Sequence, residues 1–546
     1  MPPSPPGPRL RYVASSDQLV LAAGLFWALA CNRPFFAAAA QAGANGGSTW
    51  RLTIGLVSIL AALHVLLAGL VSTRRTVKPV LALLAVVAAF ALHFAQAYGT
   101  VLDPSMLRNA LHTDVAETRE LLSWRMAGDL LLYAGLPIAL LLRADVRRRP
   151  LRRALIARAL TLGLALATFL GALMWQFQPL AALMRNHKEI RYLIAPANVL
   201  WSLGAVLVAD ARGAAKPRQA IGLDAAPGPR WAAALKPRLL VIVVGETARA
   251  ANWGLSGYAR QTTPELARLP VLNFPDTTAC GTSTEVSLPC MFAPVGRRNY
   301  DEATIRGSES LLHVLARAGA AVHWRDNQSG CKGVCEGLPS EVLDAARMPD
   351  LCNRDRCWDE GLLRGLDERL GSAKGTQVLV LHMLGNHGPS YFRRYPAAFE
   401  RFTPTCRNDD LGQCSSAEIV NAYDNAILYT DHVLATLLAT LQGHAASVDS
   451  AMLFASDHGE SLGEKGLFLH GVPYAIAPRE QTQVPMILWW SEGFGAGAKL
   501  DRACMQKRSA EPAAHDHLFH TALGLLDVKT ALYEAPLDLT RGCRPQ

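Results

Sequence analysis

Leu239-Leu-Val-Ile-Val-Val-Gly-Glu-Thr247 is a β-like apolar run that stops at a carboxylate. Three more short apolar runs follow, at 376–383, 451–455 and 485–490, with helix-like stretches at 307–318, 359–370 and 416–441. This alternation predicts an α/β fold with a largely parallel sheet, starting at about residue 238. In such sheets ligands gather at the carboxyl ends of strands. The first strand ends at Glu246, the second in His382-Met-Leu-Gly-Asn-His387 and the third in Asp457-His458; His470 is a further candidate. Carboxylate and imidazole around an open position suit catalytic zinc. A single strand-end Asp often caps a helix, and a lone His is more often structural than a ligand. Convergence at three strand ends favours the metal.

Between the first two of these runs lies Phe274-Pro-Asp-Thr-Thr-Ala-Cys-Gly-Thr-Ser-Thr-Glu-Val-Ser-Leu-Pro-Cys290, with small hydroxyl residues between two cysteines. A metal lowers the pKa of a bound hydroxyl and makes it a nucleophile. Thr282, Ser283 and Thr284 are equally placed for that role on residue type alone, and each could instead cap the following helix.

Working outward, the 546 residues are too many for one ordinary domain. Half are hydrophobic, only 18% are charged, and the mean hydropathy is +0.15. The apolar residues concentrate in the first third, as in a membrane domain joined to a soluble one. Five spans of bilayer length are expected, at about 17–37, 52–72, 79–98, 124–143 and 154–174. The net charge of +9 does not mark a nucleic-acid binder. Arg9, Arg11, Arg74, Arg75, Lys78, Arg143, Arg147, Arg148, Arg149, Arg152, Arg153 and Arg158 outnumber that excess, and all lie beside spans, where positive-inside bias accounts for them. With the basic N-terminus inside and the first span retained as an anchor, everything after the fifth span lies outside the cytoplasm.

All but one of the 11 cysteines follow residue 279. Cys280/Cys290, Cys331/Cys335, Cys352/Cys357 and Cys406/Cys414 are close pairs, Cys504 and Cys543 a distant one, and Cys31 sits alone in an apolar span. An even count at short spacing suggests disulfides in an oxidising compartment, although spacing does not prove connectivity. Zinc ligation by thiolates is the weaker alternative, since no two CxxC units stand together. The domains expected are a cytoplasmic tail 1–14, a five-span α-helical transmembrane domain 15–175, interfacial helices and linker 176–237, and a periplasmic α/β catalytic domain 238–546. In the connection 99–121, Asn109, Thr113 and Glu117 fall on one stripe if this is a helix: a solvated face, or a grip for a lipid amine.

Five ordered motifs, Gly245-Glu-Thr-Ala-Arg249, Cys280-Gly-Thr-Ser-Thr-Glu-Val-Ser-Leu-Pro-Cys-Met-Phe292, Gly385-Asn-His-Gly-Pro389, Asp457-His-Gly-Glu460 and His470-Gly-Val-Pro-Tyr474, resemble the phosphoethanolamine transferases of Gram-negative inner membranes. That group includes the lipid A and mobile colistin-resistance enzymes, within the alkaline phosphatase and sulfatase superfamily. The resemblance covers essentially the whole chain. It implies that Thr284 is the nucleophile and that Glu246, Thr284, Asp457 and His458 hold zinc, one ion or more. It implies that His387 and His470 bind phosphate or a second zinc. Asn109, Thr113, Glu117, Ser329 and Lys332 match positions that contact the donor headgroup, and His382 matches a further active-site histidine. The cysteine pairs match that family's disulfides in part. Glu285 departs from the pattern, where a small apolar residue is expected.

The implied reaction moves phosphoethanolamine from phosphatidylethanolamine to lipid A, or to another lipopolysaccharide or glycan acceptor, through a phosphothreonine. It lowers surface negative charge and so confers resistance to cationic peptides and polymyxin. A monomer in the inner membrane is expected, with the catalytic domain in the periplasm. Two rivals stay in view: a glycerol-phosphate transferase or sulfatase-like hydrolase on the same fold, and an inactive membrane sensor. The Thr284 region lacks the Cys/Ser-x-Pro-x-Arg motif of sulfatases, and no expected ligand is missing.

Overall fold

The computed structural model describes residues 11–42, 49–113, 115–214, 217–352 and 356–544. Most of the expected tail, residues 1–10, and part of the expected linker, 215–216, lie outside them. The chain divides into two units, Met1–Leu107 with Leu122–Val206, and Arg108–Leu121 with Leu207–Gln546.

The first unit is helical. Trp50–Val71, Val77–Ala97, Trp124–Arg143 and Leu151–Trp175 are each long and apolar enough to cross a bilayer. Ser16–Cys31 and Arg33–Ala42 form a pair bent by 54°, and counted as one span they make five. The bend has a local cause. Pro34 lacks an amide proton, and the Asn32 side chain inserts at the break. Its Nδ2 donates to the carbonyls of Trp27 and Ala195, both at 2.8 Å, and its Oδ1 accepts from Ala195 N at 3.0 Å. Only 6% of the apolar window in Leu151–Trp175 is buried. A helix apolar all round with so little protein cover is suited to lipid.

The second unit is built on an eight-stranded sheet: β1 (Arg238–Gly245), β2 (Leu272–Thr278), β3 (Ala321–Asp326), β4 (Ser340–Val342), β5 (Thr376–His382), β6 (Asp449–Ser456), β7 (Gln483–Trp490) and β8 (Ala513–Ala514). Their order is β8-β2-β7-β6-β1-β5-β3-β4. Every residue of β1 is buried, because it lies mid-sheet with cores on both faces. β1 pairs in parallel with β5 and β6, so Gly245 stands opposite Ser456 and Val244 opposite His382. The sheet is largely parallel, but β7 runs antiparallel to β6 and β2. The excursion 457–482 remains at the carboxyl end of β6, where Gly471 N donates to Thr282 O at 2.7 Å, so the next strand must run back.

The helix Ser416–Gly443 packs one face, opened by a capping box in which Ser415 and Glu418 satisfy each other's backbone donors. The stretch read as linker is in part ordered within this unit: Ala226–Pro227 pair with Val528–Lys529. All five cysteine pairs are bridged, and Cys31 is free and buried.

The connection 99–121 is not one helix. Pro104–Leu111 and Val115–Glu120 are separate, so Asn109, Thr113 and Glu117 do not share a continuous helical stripe. At the break the Thr113 hydroxyl donates to Asn109 O at 2.8 Å, a local bond that competes with helix continuation.

Candidate active site

Backbone register assembles the centre. β1 and β6 end side by side, and Asp457 N donates to Gly245 O at 2.8 Å, which sets Glu246 beside Asp457. Thr247 takes φ +59°, a left-handed turn that a non-glycine residue holds only when its surroundings fix it. Its N–H donates to Asp457 Oδ1 at 3.1 Å, its hydroxyl to Glu246 Oε1 at 2.6 Å, and its carbonyl accepts from Tyr423 at 2.6 Å. His458 Nδ1 lies 2.9 Å from Gly459 O, which leaves Nε2 for the centre. Ligand atoms of Glu246, Asp457 and His458 all lie within 4.8 Å of one another, and all three residues are fully buried.

The helix α1 (Thr284–Met291) begins at this point, with Ser283 as its N-cap residue. Thr284 Oγ1 is 3.0 Å from Glu246 Oε2, 3.3 Å from Oε1 and 3.4 Å from His458 Nε2. The Thr282 hydroxyl donates instead to Val472 O at 2.7 Å, holding the loop that carries His470. The turn before α1 requires Gly281, because a Cβ there would stand 2.9 Å from Ser287 N. Ser287 Oγ in turn donates to Asp457 O at 2.5 Å.

The histidines gather close by. The His470 ring centroid is 4.3 Å from that of His458 and 5.5 Å from that of His387. His470 Nδ1 lies 3.1 Å from Glu460 Oε2. His382 Nδ1 is 2.9 Å from Asp326 Oδ2, and its buried Nε2 has no hydrogen-bond partner among the described residues. Lys332 Nζ donates to Ser329 Oγ at 2.8 Å, which brings those two candidates together. The Glu117 side chain lies outside the described residues.

Burial alone would raise the Glu246 carboxyl, but His458, His387 and His470 outweigh it and hold Glu246 far below the usual range. Asp457 is pushed up to about 6 by burial and by Glu246 beside it. Burial would lower His458, but Asp457 and Glu246 raise it to about 10. Two carboxylates and one imidazole thus converge, fully buried, on one point. Asp457 Oδ2, 3.3 Å from His458 Nε2, is also buried without a hydrogen-bond partner among the described residues. Both features fit a divalent cation.

Sequence reasoning missed four contributors. Gln328 Nε2 donates to Glu246 Oε2 at 3.2 Å. Asp326 orients His382, and Glu460 orients His470. His515 Nδ1 accepts from Cys280 N at 3.0 Å while Nε2 lies 2.9 Å from Ser456 O, tying the loop that leads to Thr284 to β6. Burial lowers that imidazole to about 4, as suits a neutral tether. For His515 the sequence offered no signal beyond a histidine beside Asp516.

A parallel-sheet domain with buried carboxylate and imidazole ligands at strand ends, set against a hydroxyl at a helix start, defines a metal-binding enzyme of the alkaline phosphatase and sulfatase class. Residues 238–528 match the Sulfatase family model, and residues 59–211 match the model described as phosphoethanolamine transferase EptA/EptB. The chain is 39% identical over 477 residues to the phosphoethanolamine transferase EptA of Escherichia coli K12, covering 86% of each. It is 38% identical over 532 residues to the phosphatidylethanolamine transferase Mcr-2 of Escherichia coli, covering 95% of this chain and 96% of the relative. The full-length integral membrane lipooligosaccharide phosphoethanolamine transferase A of Neisseria meningitidis superposes with TM-score 0.92 at 34% identity, over 98% of this chain and 100% of that one. The chain belongs to the phosphoethanolamine transferase family. It is a multi-pass membrane enzyme with a C-terminal soluble domain.

Proposed function

We propose that the enzyme takes phosphoethanolamine from phosphatidylethanolamine and transfers it to lipid A through a phosphorylated Thr284, with its catalytic domain in the periplasm and its helices in the inner membrane. The observation that carries this reading is the Thr284 hydroxyl placed at a helix start, 3.0 Å from Glu246 and 3.4 Å from His458. Zinc held by Glu246, Thr284, Asp457 and His458 would lower the hydroxyl pKa and offset charge on the phosphoryl oxygens.

The chain's own residues do the rest. Glu246 accepts the Thr284 proton's hydrogen bond and orients Oγ1. Oγ1 gives up its proton and attacks the phosphorus, the Oγ–P bond forms, the P–O bond to diacylglycerol breaks, and the leaving alkoxide takes up that proton to leave as the alcohol. A phosphate oxygen of the acceptor then attacks the same phosphorus, and the Oγ–P bond breaks and returns Thr284 to its hydroxyl form. Two such displacements replace one harder direct transfer. The first residue of a helix suits the covalent phosphodiester, since the helix dipole favours an anion there. His387 and His470 bind the incoming phosphate or a second zinc, and His382 stands with them. Asn109, Thr113, Glu117, Ser329 and Lys332 contact the headgroup of the donor. The added amine lowers the negative charge of lipid A, which weakens binding of cationic peptides such as polymyxin.

Mass spectrometry tests the reading. Cells carrying the protein should yield lipid A with a phosphoethanolamine increment, and the purified enzyme should carry the same increment on Thr284. Thr284→Ala should abolish both while the protein stays folded. Transfer retained by that variant overturns the nucleophile. An increment on core sugars or glucans, and none on lipid A, overturns the acceptor.

A further inference from the structure

Glu285 follows the nucleophile directly, on the first turn of α1, and is buried. A buried carboxylate needs cationic or hydrogen-bonding partners, and Glu285 gathers them from three separate parts of the second unit. Arg306 Nη2 stands 2.9 Å from Oε1 and also donates to the Glu285 carbonyl at 2.7 Å. His112 Nδ1 lies 3.1 Å from the same Oε1. Lys332 Nζ lies 3.9 Å from Oε2, which has no hydrogen-bond partner among the described residues. One arginine would suffice to neutralise the carboxylate. The other two partners each belong to a group of donor-headgroup candidates: His112 sits between Asn109 and Thr113, and Lys332 is bonded to Ser329.

The chain of charges continues outward. Arg306 pairs with Glu302 at 3.0 Å, Glu302 with Arg108, and Arg108 with Asp210 at 2.8 Å. Segment 108–121 is also fastened at its far end. There Glu120 pairs with the buried Arg394, whose Nε donates to the His387 carbonyl at 2.6 Å. The segment therefore has one attachment beside Thr284 and another on the backbone of His387.

We propose that Glu285 is a positioning residue that docks segment 108–121 beside Thr284 and so sets the enzyme's affinity for the ethanolamine end of its donor. The inference rests on the donor reading given above. It also accounts for an acidic residue at this place: Arg306 and Lys332 offset its charge and His112 bonds it, so it serves as a docking point for the segment and repels the phosphoryl group little.

The test uses the full-length protein in lipid nanodiscs, with hydrogen exchange of 108–121 and steady-state transfer from phosphatidylethanolamine as separate readouts. His112 is half exposed, so His112→Ala should fold normally; Glu285→Gln removes the charge and keeps the shape. Both should speed exchange in 108–121 by about fivefold or more. Both should raise the donor KM by about three- to tenfold, with kcat at saturating donor changed by less than about twofold. Unaltered exchange, faster exchange with an unaltered KM, or a fall in kcat at constant KM would each overturn the proposal. Absence of a phosphoethanolamine adduct on wild-type Thr284 would overturn the donor reading instead, and the exchange arm would still report whether Glu285 docks the segment.

Discussion

The two sides of the active site are held by different physics. Glu246, Asp457 and His458 project from the ends of adjacent parallel strands, and the sheet's backbone hydrogen bonds fix them. The side proposed to meet the donor headgroup is held by side chains: Glu285 with Arg306 and His112, Glu120 with Arg394, and Lys332 with Ser329. A register between central strands yields only with the whole sheet, whereas an ion pair yields to one substitution. The first side should therefore answer mutation through chemistry, and the second through affinity.

The largest break in this comparison should come from the metal ligands. Asp457→Asn keeps size and burial but removes a charge, and it should lower bound zinc well below one equivalent and transfer by more than about a hundredfold. Elemental analysis of purified protein beside a lipid-product assay checks both. Zinc removal should come next: chelation should abolish transfer, and readdition of zinc at about a hundred times its Kd should restore it and stabilise the fold by about 2.7 kcal/mol, seen as a rise in Tm. His515→Ala should cost about ten- to a hundredfold in kcat with little change in KM, because it unties the loop of Thr284 from β6 without touching substrate. Ser329→Ala should be mildest, raising donor KM by about two- to fivefold with kcat nearly unchanged. A kcat loss at Ser329 as large as that at His515 would erase the distinction between the two sides.

The same distinction governs what could be read from the chain. The central strands were legible because apolar runs buried on both faces carry their own signal, and their terminal carboxylates marked the candidate metal centre. Leu272–Thr278 and Ala321–Asp326 were not read as strands. The first carries Pro275, Asp276 and two threonines, and the second alternates buried and partly exposed residues near an edge. Thr284 emerged from three neighbouring hydroxyls only through resemblance, and the Thr282 bond to Val472 now separates two of them. Asp326, 56 residues from its partner His382, and His515, 235 residues from Cys280, meet their partners only through topology. The break in the helix at 112–113 was hidden for a different reason: helical spacing alone does not reveal a hydroxyl that bonds its own backbone.

The Cys280–Cys290 bridge has a kinetic meaning for the nucleophile. An isolated eight-residue helix would fray continually in water. Here the bridge closes a ring that starts before Thr284 and ends one residue short of the helix's last, so α1 cannot unwind into an open chain. With Cys280 N also tied to His515, local fraying of the nucleophile is suppressed, and the opening that remains must borrow from the unfolding of the sheet itself. Ser287, whose N–H donates to Ser283 O at 2.8 Å, should thus exchange slowly although it sits in a helix of only eight residues.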